Sequence, residues 1–271
     1  MDSSVDSPIG IFDSGVGGLT VVKSVMKLLP NEHIIYFGDT ARVPYGIKST
    51  ETIREYALQI TDFLLRKQVK IIIVACNSVA ASASKEIRKK CKNIPVVDVI
   101  EAGCKQATTR SAGPGQIGVI GTLATIGSGA YEKVLRGIDD DIRCFSRACP
   151  MLVPLAEEGW TDNPIALEIL EKYLSDFREK ELKSIILGCT HYPLFKKGIR
   201  KILGENINII DSADAAAEMA KEILELEKKT GQKKPGEFDC FVTDKPQRFK
   251  SLAERFLGQK LSRVEIVNIK G

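Results

Sequence analysis

Two cysteines occupy equivalent places in two distant stretches of the sequence. Cys76 lies in "IIIVACNSVA" (71–80) and Cys189 in "SIILGCTHYP" (184–193). Each follows a short apolar run that predicts a buried strand, and a helix is expected to begin just after each one. A helix N-terminus carries a partial positive charge and free N–H groups, which favour a thiolate. The sequence therefore predicts two chemically active thiols.

The side chains beside the two cysteines are small and polar. Asn77, Ser78 and Thr190 add hydrogen-bond donors that can hold a carboxylate. A single activated thiol would indicate covalent nucleophilic catalysis, as in a hydrolase or transferase. Two thiols that face one cleft indicate instead that one removes a proton from a carbon while the other returns a proton to its opposite face. A free thiol, with a pKa of roughly 8.5, can serve as acid or base near neutrality.

Each of these features also has a structural interpretation. A buried cysteine often behaves as a small hydrophobic side chain, and we prefer this interpretation for the other cysteines. Asp13 and His191 could each orient or relay protons for one thiol, but Asp13 with Ser14 could equally cap a helix, and His191 could be structural. "DSGVGG" (13–18) could bind phosphate, although it lacks the Lys-Ser/Thr of a P-loop and the G-x-G-x-x-G spacing. The cysteines assigned to packing are Cys91, Cys104, Cys144, Cys149 and Cys240.

Short apolar runs alternate with amphipathic segments along the chain, which predicts an α/β fold. Apolar spacing predicts helices over 50–67, 163–178 and 216–224, the second capped by Asp162 or Asn163. Strands that alternate with helices indicate parallel sheets covered on both faces. Ligands of such sheets bind beyond the carboxyl ends of the strands, where both cysteine turns lie. The predicted strands are 9–12, 34–37, 70–74, 96–99, 117–120, 184–187 and 207–210.

Composition and charge limit the classes of partner. The chain is 44% apolar and 27% charged, which is typical of a globular protein. Its net charge is only +4, and its lysines and arginines are interspersed with acidic residues, so no nucleic-acid partner is predicted. The densest basic stretch, 228–236, is interpreted as a loop. No run approaches the roughly 18 apolar residues of a membrane span. The acidic N-terminus differs from a secretory signal, so the cytoplasm is the expected compartment. The seven cysteines show no C-x-x-C spacing and disulfides are rare in that compartment, so no disulfide is predicted. With only two histidines, no zinc site is predicted either.

At these residues the chain closely resembles the glutamate racemase family, cofactor-independent enzymes that supply D-glutamate to bacterial cell-wall synthesis. "GCTHYP" and "FDSGVGGLTV" together are highly specific for this family, and the matching stretches follow the family's order over nearly the whole chain. They are "IGIFDSGVGGLTV" (9–21), "YFGDTARVPYG" (36–46), "ACNS" (75–78), "PVVDVIEAG" (95–103), "IGVIGTLATI" (117–126), "CPMLVPLAEEG" (149–159), "LGCTHYP" (187–193) and "IIDSADAAA" (209–217).

The resemblance implies an α/β fold of two similar doubly wound domains with parallel sheets. The domains are expected to be related by a pseudo-twofold axis, with the active site in the cleft between them. Residues 1–98 with 210–271 would form the N-terminal domain and 99–209 the second, in line with a break expected near 98–103. The resemblance further implies an isomerase that needs no cofactor or metal, acts on glutamate as a cytoplasmic homodimer away from membranes and nucleic acid, and serves peptidoglycan biosynthesis and cell shape.

The resemblance also assigns roles to individual residues. Cys76 and Cys189 match the family's two catalytic thiols, and Asp13, Glu157 and His191 match the acid–base residues that assist them. The matching substrate-binding positions are Asp13, Ser14, Pro44, Tyr45, Gly46, Cys76, Asn77, Ser78, Thr122, Thr190 and His191.

Some positions depart from the family pattern, and three other functions compete. Ser78 stands where the family usually has Thr, Val79 where a smaller residue is common, and Ala102 in place of Pro, which bears on the fine shape of the pocket. An aspartate racemase is the nearest rival, but such enzymes tend to carry Glu at His191. A hydrolase or transferase that uses one cysteine leaves the second cysteine turn without a role. A phosphate-binding or regulatory module built on 13–18 leaves both thiols unexplained.

Overall fold

The computed structural model describes residues 5–110, 115–231, 236–261 and 263–269. Part of the basic stretch predicted to be a loop, residues 232–235, lies outside the described residues. The described chain forms two parallel β-sheets with helices between the strands, as the alternating pattern predicts.

The first sheet contains the strand that leads to Cys76. Among the described residues its strand order is β10-β9-β2-β1-β3-β4, and every pairing is parallel. The strands are β1 (Ile9–Asp13), β2 (Ile34–Gly38), β3 (Ile71–Val74), β4 (Val96–Asp98), β9 (Phe238–Val242) and β10 (Glu265–Ile266).

The second sheet contains the strand that leads to Cys189. Its order is β6-β5-β7-β8, again with parallel pairing throughout. The strands are β5 (Gln116–Gly121), β6 (Arg143–Ala148), β7 (Leu182–Gly188) and β8 (Asn208–Asp211). In each sheet the central strands β1, β3, β5 and β7 carry almost entirely buried apolar side chains, because helices cover both faces.

Helices connect the strands, and α8 begins at one of the two caps that the sequence predicts for it. Asn163 accepts the backbone N–H of Ala166 at 2.9 Å and caps α8, and Pro164 follows in the first turn. The helices are α1 (Leu19–Leu28), α2 (Thr50–Arg66), α3 (Asn77–Cys91), α4 (Val99–Arg110), α5 (Leu123–Gly127), α6 (Ala130–Ile138), α7 (Leu152–Glu158), α8 (Pro164–Arg178), α9 (Lys196–Leu203), α10 (Ser212–Leu226) and α11 (Pro246–Leu257).

The chain crosses between the sheets at two aspartates. Asp98 ends β4, and its Oδ1 accepts the backbone N–H groups of Ile100 and Glu101 at 3.1 and 2.9 Å. Asp211 ends β8 in the same manner, and its Oδ1 accepts the backbone N–H of Ala213 at 2.9 Å. The predicted division after residue 209 thus falls inside β8. We propose that the second domain extends through Asp211; the other predicted limits stay predictions.

Candidate active site

The carboxyl ends of four central strands meet at one cavity of about 230 Å³. Asp13 ends β1, Cys76 follows β3, Thr122 follows β5 and Cys189 follows β7. The first two belong to one sheet and the last two to the other, so both halves of the fold contribute to the walls.

Every residue that the sequence predicts for the site lies on the wall of this cavity. Their individual roles stay predictions. The residues are Asp13, Ser14, Pro44, Tyr45, Gly46, Cys76, Asn77, Ser78, Thr122, Glu157, Cys189, Thr190 and His191.

An apolar part of the wall is not predicted from the sequence. The side chains in this part of the wall carry no reactive group. Most of them lie inside the stretches that match the family, and that location in the sequence could have identified them. They are Gly15, Val16, Val43, Ile47, Leu123, Pro150, Val153 and Pro154. None of the described residues that line the cavity is Lys or Arg.

The first thiol stands at the start of a helix but is not activated by it. Cys76 is the N-cap residue of α3, and its Sγ donates to the Ser14 hydroxyl at 3.7 Å. Burial, and next the Asp13 carboxylate, raise the pKa of the Cys76 thiol to about 12. Hydrogen bonds from the backbone of Val79 and Ser14 act in the opposite direction but are outweighed. The predicted bias toward thiolate is therefore wrong for Cys76, which rests as a thiol, because desolvation disfavours the charged form.

The second thiol belongs to a chain of three groups. His191 Nδ1 lies 3.9 Å from Cys189 Sγ, and its Nε2 lies 3.2 Å from Glu157 Oε1 at the end of α7. Burial lowers the pKa of His191, but the hydrogen bonds to Cys189 and Glu157, with the charges of Cys189 and Asp13, outweigh it and raise the pKa to about 10. The imidazole therefore holds a proton more readily than a free histidine does, most of all while Cys189 is a thiolate, and it can exchange a proton with Cys189.

The helix expected directly after Cys189 is displaced along the chain. A short 3-10 helix, Tyr192–Phe195, comes first, and α9 begins only at Lys196. Pro193 stands in the 3-10 turn, where its missing N–H is not required. The side chain of His191, the N-cap residue of the 3-10 helix, therefore lies beside the thiol ahead of the first helical turn.

The glycine-rich loop serves close packing around these groups. The N-cap residue of α1 is Gly18, so Asp13 does not cap that helix, although its Oδ2 accepts Gly15 N at 3.0 Å. A Cβ on Gly17 would overlap Thr190 Oγ1 and would lie 2.6 Å from the ring of His191. The loop from the first half therefore fits against the Cys189 turn only because it lacks side chains there.

Hydroxyl groups join the two halves on another wall. Ser78 Oγ, in α3, lies 3.1 Å from Thr122 Oγ1, which caps α5. Gly46 packs on the same threonine, since a Cβ there would lie 3.0 Å from Thr122 Cβ. The neighbouring Tyr45 hydroxyl donates to the buried Asp39 carboxylate, so it supports the wall and does not point a free donor into the cavity.

Neither a metal-binding cluster nor a membrane-spanning helix occurs among the described residues. They contain no group of three or more His, Cys, Asp or Glu side chains that could hold a metal ion. Across that part of the chain, no helix has both the length and the apolar character needed to span a bilayer.

Sequence comparison assigns the family. The profile described as Asp/Glu/Hydantoin racemase matches residues 10–220, a range that includes both cysteine turns. The chain belongs to the Asp/Glu/Hydantoin racemase family. As a member of this family it is an isomerase, and the two-sided cavity is its candidate active site.

Individual members of the Asp/Glu/Hydantoin racemase family are similar over their full length. The glutamate racemase of Syntrophus aciditrophicus is 47% identical over 97% of both chains. That of Chlorobaculum tepidum is 49% identical over 98% of both. The structure of glutamate racemase from Francisella tularensis in complex with D-glutamate superposes with a TM-score of 0.92 at 42% identity, over 98% of each chain. The two-sheet α/β fold predicted from the sequence is thereby confirmed.

Proposed function

We propose that this racemase interconverts L- and D-glutamate by two-thiol acid–base chemistry that needs no cofactor. The observation that carries the proposal is the convergence of Cys76 and Cys189, from two different sheets, on one cavity. A substrate carbon between them would have one thiol on each side, as inversion by deprotonation and reprotonation requires.

Each thiol has a neighbouring group that can adjust its proton. Cys76 rests protonated, so it must lose that proton before it can act as a base, and Asp13 is the carboxylate beside it. Cys189 has His191 beside it, and Glu157 holds the far side of the ring. In one direction a Cys76 thiolate removes the Cα proton and Cys189 supplies one; in the other direction the roles exchange.

Neutral donors would bind the two carboxylates of glutamate. The lining residues offer Asn77 and the hydroxyls of Ser14, Ser78, Thr122 and Thr190, whereas the described lining contains no Lys or Arg. The hydroxyls among these donors, with the imidazole of His191, can also stabilise the charge that develops on the α-carboxylate when Cα loses its proton. The choice of glutamate is supported by the relatives, which are glutamate racemases at 43–49% identity.

We propose that the product, D-glutamate, serves peptidoglycan synthesis in the cytoplasm and thereby cell-wall biogenesis and cell shape. A homodimer is the assembly that the family resemblance predicts.

The test is a cofactor-free assay. Purified protein, dialysed against a chelator, is incubated with L-glutamate and, separately, with L-aspartate, and the D-enantiomers are quantified by chiral chromatography. The proposal expects D-glutamate to approach half of the pool and aspartate to react far more slowly. Activity that requires added pyridoxal phosphate or metal, or a preference for aspartate, would contradict it.

A further inference from the structure

Tyr131 touches the turns of both thiols, although it does not line the cavity. It lies in the first turn of α6 and is 1% exposed. Its hydroxyl donates to Asn77 Oδ1 at 2.7 Å, and Asn77 directly follows Cys76. Its ring lies against Gly188, where a Cβ would be 3.0 Å from Tyr131 Cε2, and Gly188 directly precedes Cys189. A single side chain thus connects the two halves immediately behind the site.

The amide of Asn77 is satisfied on one side only. The side chain is 3% exposed and lines the cavity, and its Oδ1 is occupied by Tyr131. Its Nδ2 is buried and has no hydrogen-bond partner among the described residues. Because an unpaired buried N–H is costly, such a donor in a cavity wall points to a ligand that accepts from it.

A tyrosine hydroxyl can donate or accept, and here its donation to Oδ1 sets which end of the amide faces the cavity. An Asn side chain is nearly symmetric in shape, so its neighbours determine the orientation of its oxygen and nitrogen. With the Tyr131 proton donated to Oδ1, the NH₂ group faces the cavity. With the amide reversed, Oδ1 would face the cavity and would repel a carboxylate.

We infer that Tyr131 is a positioning residue whose hydroxyl orients Asn77 so that Nδ2 donates to a carboxylate of the substrate. The inference rests on the proposed function, since it requires a carboxylate ligand in this cavity. A contact with a carboxylate that does not itself react is present in the ground state and the transition state alike. Its loss therefore raises KM and leaves kcat nearly unchanged.

The Tyr131→Phe enzyme tests this inference because it keeps the ring and removes only the hydroxyl. We expect KM for glutamate to rise about tenfold, the effect of one lost hydrogen bond. We expect kcat to stay within about twofold of wild type. A marked fall in kcat would instead indicate a general loosening of the structure that moves the thiols, and it would overturn the inference. An unchanged KM would overturn it as well.

A double-mutant cycle with Asn77→Ala separates orientation of the amide from general stabilisation. If Tyr131 acts through Asn77, adding Tyr131→Phe to Asn77→Ala has no further effect on KM. Equal losses in both backgrounds would overturn the inference while leaving glutamate racemisation established. A wild-type enzyme that does not racemise glutamate would instead refute the proposed function, and the inference with it.

Tyr192→Phe is the matched control. Tyr192 is also fully buried in the second half, but its hydroxyl donates to the backbone oxygens of Cys149 and Gly121, at 2.7 and 3.0 Å. Any effect of Tyr192→Phe on KM should therefore add to that of Asn77→Ala. Thermal unfolding is followed for every variant.

If Tyr131→Phe does not fold, Asn77→Asp tests whether position 77 faces a carboxylate of the substrate, which the inference requires. Tyr131 would hold one carboxylate oxygen, and the other would face the substrate carboxylate. The KM of Asn77→Asp should then exceed that of Asn77→Ala, and a lower KM would overturn the inference.

Discussion

The imidazole of His191 bridges Cys189 and Glu157, with Nε2 3.2 Å from the Glu157 carboxylate and Nδ1 3.9 Å from the thiol. The two partners come from different elements, since Glu157 lies near the end of α7 and Cys189 follows β7. The ring of Phe256, in α11, packs edge-on against the imidazole with centroids 5.2 Å apart. Three elements therefore fix the orientation of one proton-transfer group.

His191 should stay protonated well above neutral pH. Its pKa is raised to about 10, and the bond to Glu157 is one cause, so Glu157→Gln should lower it. The chain has two histidines, so ¹⁵N-histidine NMR with a His33→Gln sample for assignment can follow both rings. Titration of His191 near the ordinary value of about 6.5, or no change in Glu157→Gln, would contradict this account.

Cys76 should react slowly with alkylating agents near neutral pH and faster as the pH rises. The reason is that the thiolate is the nucleophile and the pKa of Cys76 is about 12. Asp13→Asn removes a negative charge that raises this pKa, so alkylation of Cys76 should become faster at a given pH even though racemisation falls. Mass-spectrometric rates for each cysteine measure this, with the more exposed Cys144 as internal control. Slower alkylation of Cys76 in Asp13→Asn would refute the proposed coupling.

Glutamate should protect both site thiols in the same labelling experiment. Cys76 and Cys189 line the cavity, whereas the described lining includes none of the other cysteines. Equal labelling with and without glutamate would place the ligand elsewhere.

Gly17 should tolerate no side chain. A Cβ there overlaps Thr190 Oγ1 and comes within 2.6 Å of His191 Nδ1, so Gly17→Ala should displace the Cys189 turn. We expect kcat/KM to fall by roughly two orders of magnitude or more, since small displacements at a reacting centre are costly. Gly137→Ala, in α6 where the added Cβ would point into open space, should keep full activity and gain up to about 1 kcal/mol of stability. Equal activity of the two variants would exclude the packing role of Gly17.

Lys70 and Glu32 form a buried ion pair that supports the first sheet at its other end. Lys70 Nζ lies 2.6 Å from Glu32 Oε2 and also donates to the backbone oxygens of Val5 and Lys229. Lys70→Met leaves the buried Glu32 carboxylate without its counter-ion, although the Gly231 N–H still donates to it, and should lower the free energy of unfolding by about 3–5 kcal/mol. Lys197→Met removes the exposed Lys197–Asp162 pair and should cost less than about 1 kcal/mol. Urea denaturation measures the free energy of unfolding of both variants. A similar loss in both would contradict the stabilising role of the buried Lys70–Glu32 pair.

Sequence patterns predicted the buried strands well and the exposed ones poorly. Each predicted strand is present within one or two residues of its expected ends, because strands buried on both faces read as apolar runs. β6 was missed because it is a partly exposed edge strand whose sequence, RCFSRA, mixes polar and apolar residues without a regular pattern. β9 and β10 were missed as well, one because it mixes polar and apolar residues and the other because it has two residues.

The site was predictable in its membership but not in its electrostatics. Family motifs identified the lining residues that carry reactive groups, most of which lie at strand ends, but not the apolar part of the wall. The protonation of Cys76 depends on its burial and on the approach of Asp13 from another strand, and neither is local in sequence. Tyr131 escaped prediction for the same reason, because its partner Asn77 is a long-range contact.

The central claim is that two thiols act on opposite faces of Cα, and isotope incorporation tests it most directly. Steady-state rates cannot, because L- and D-glutamate have equal free energies and kcat/KM must be the same in both directions for any variant. With L-glutamate in D₂O, early D-glutamate should carry deuterium at Cα while the remaining L-glutamate stays protonated. Optical rotation should overshoot zero, because deuterated product reverts more slowly than protonated substrate reacts. Early deuterium in recovered L-glutamate, or original proton retained in D-glutamate, without an overshoot, would show a single base and contradict the two-thiol mechanism.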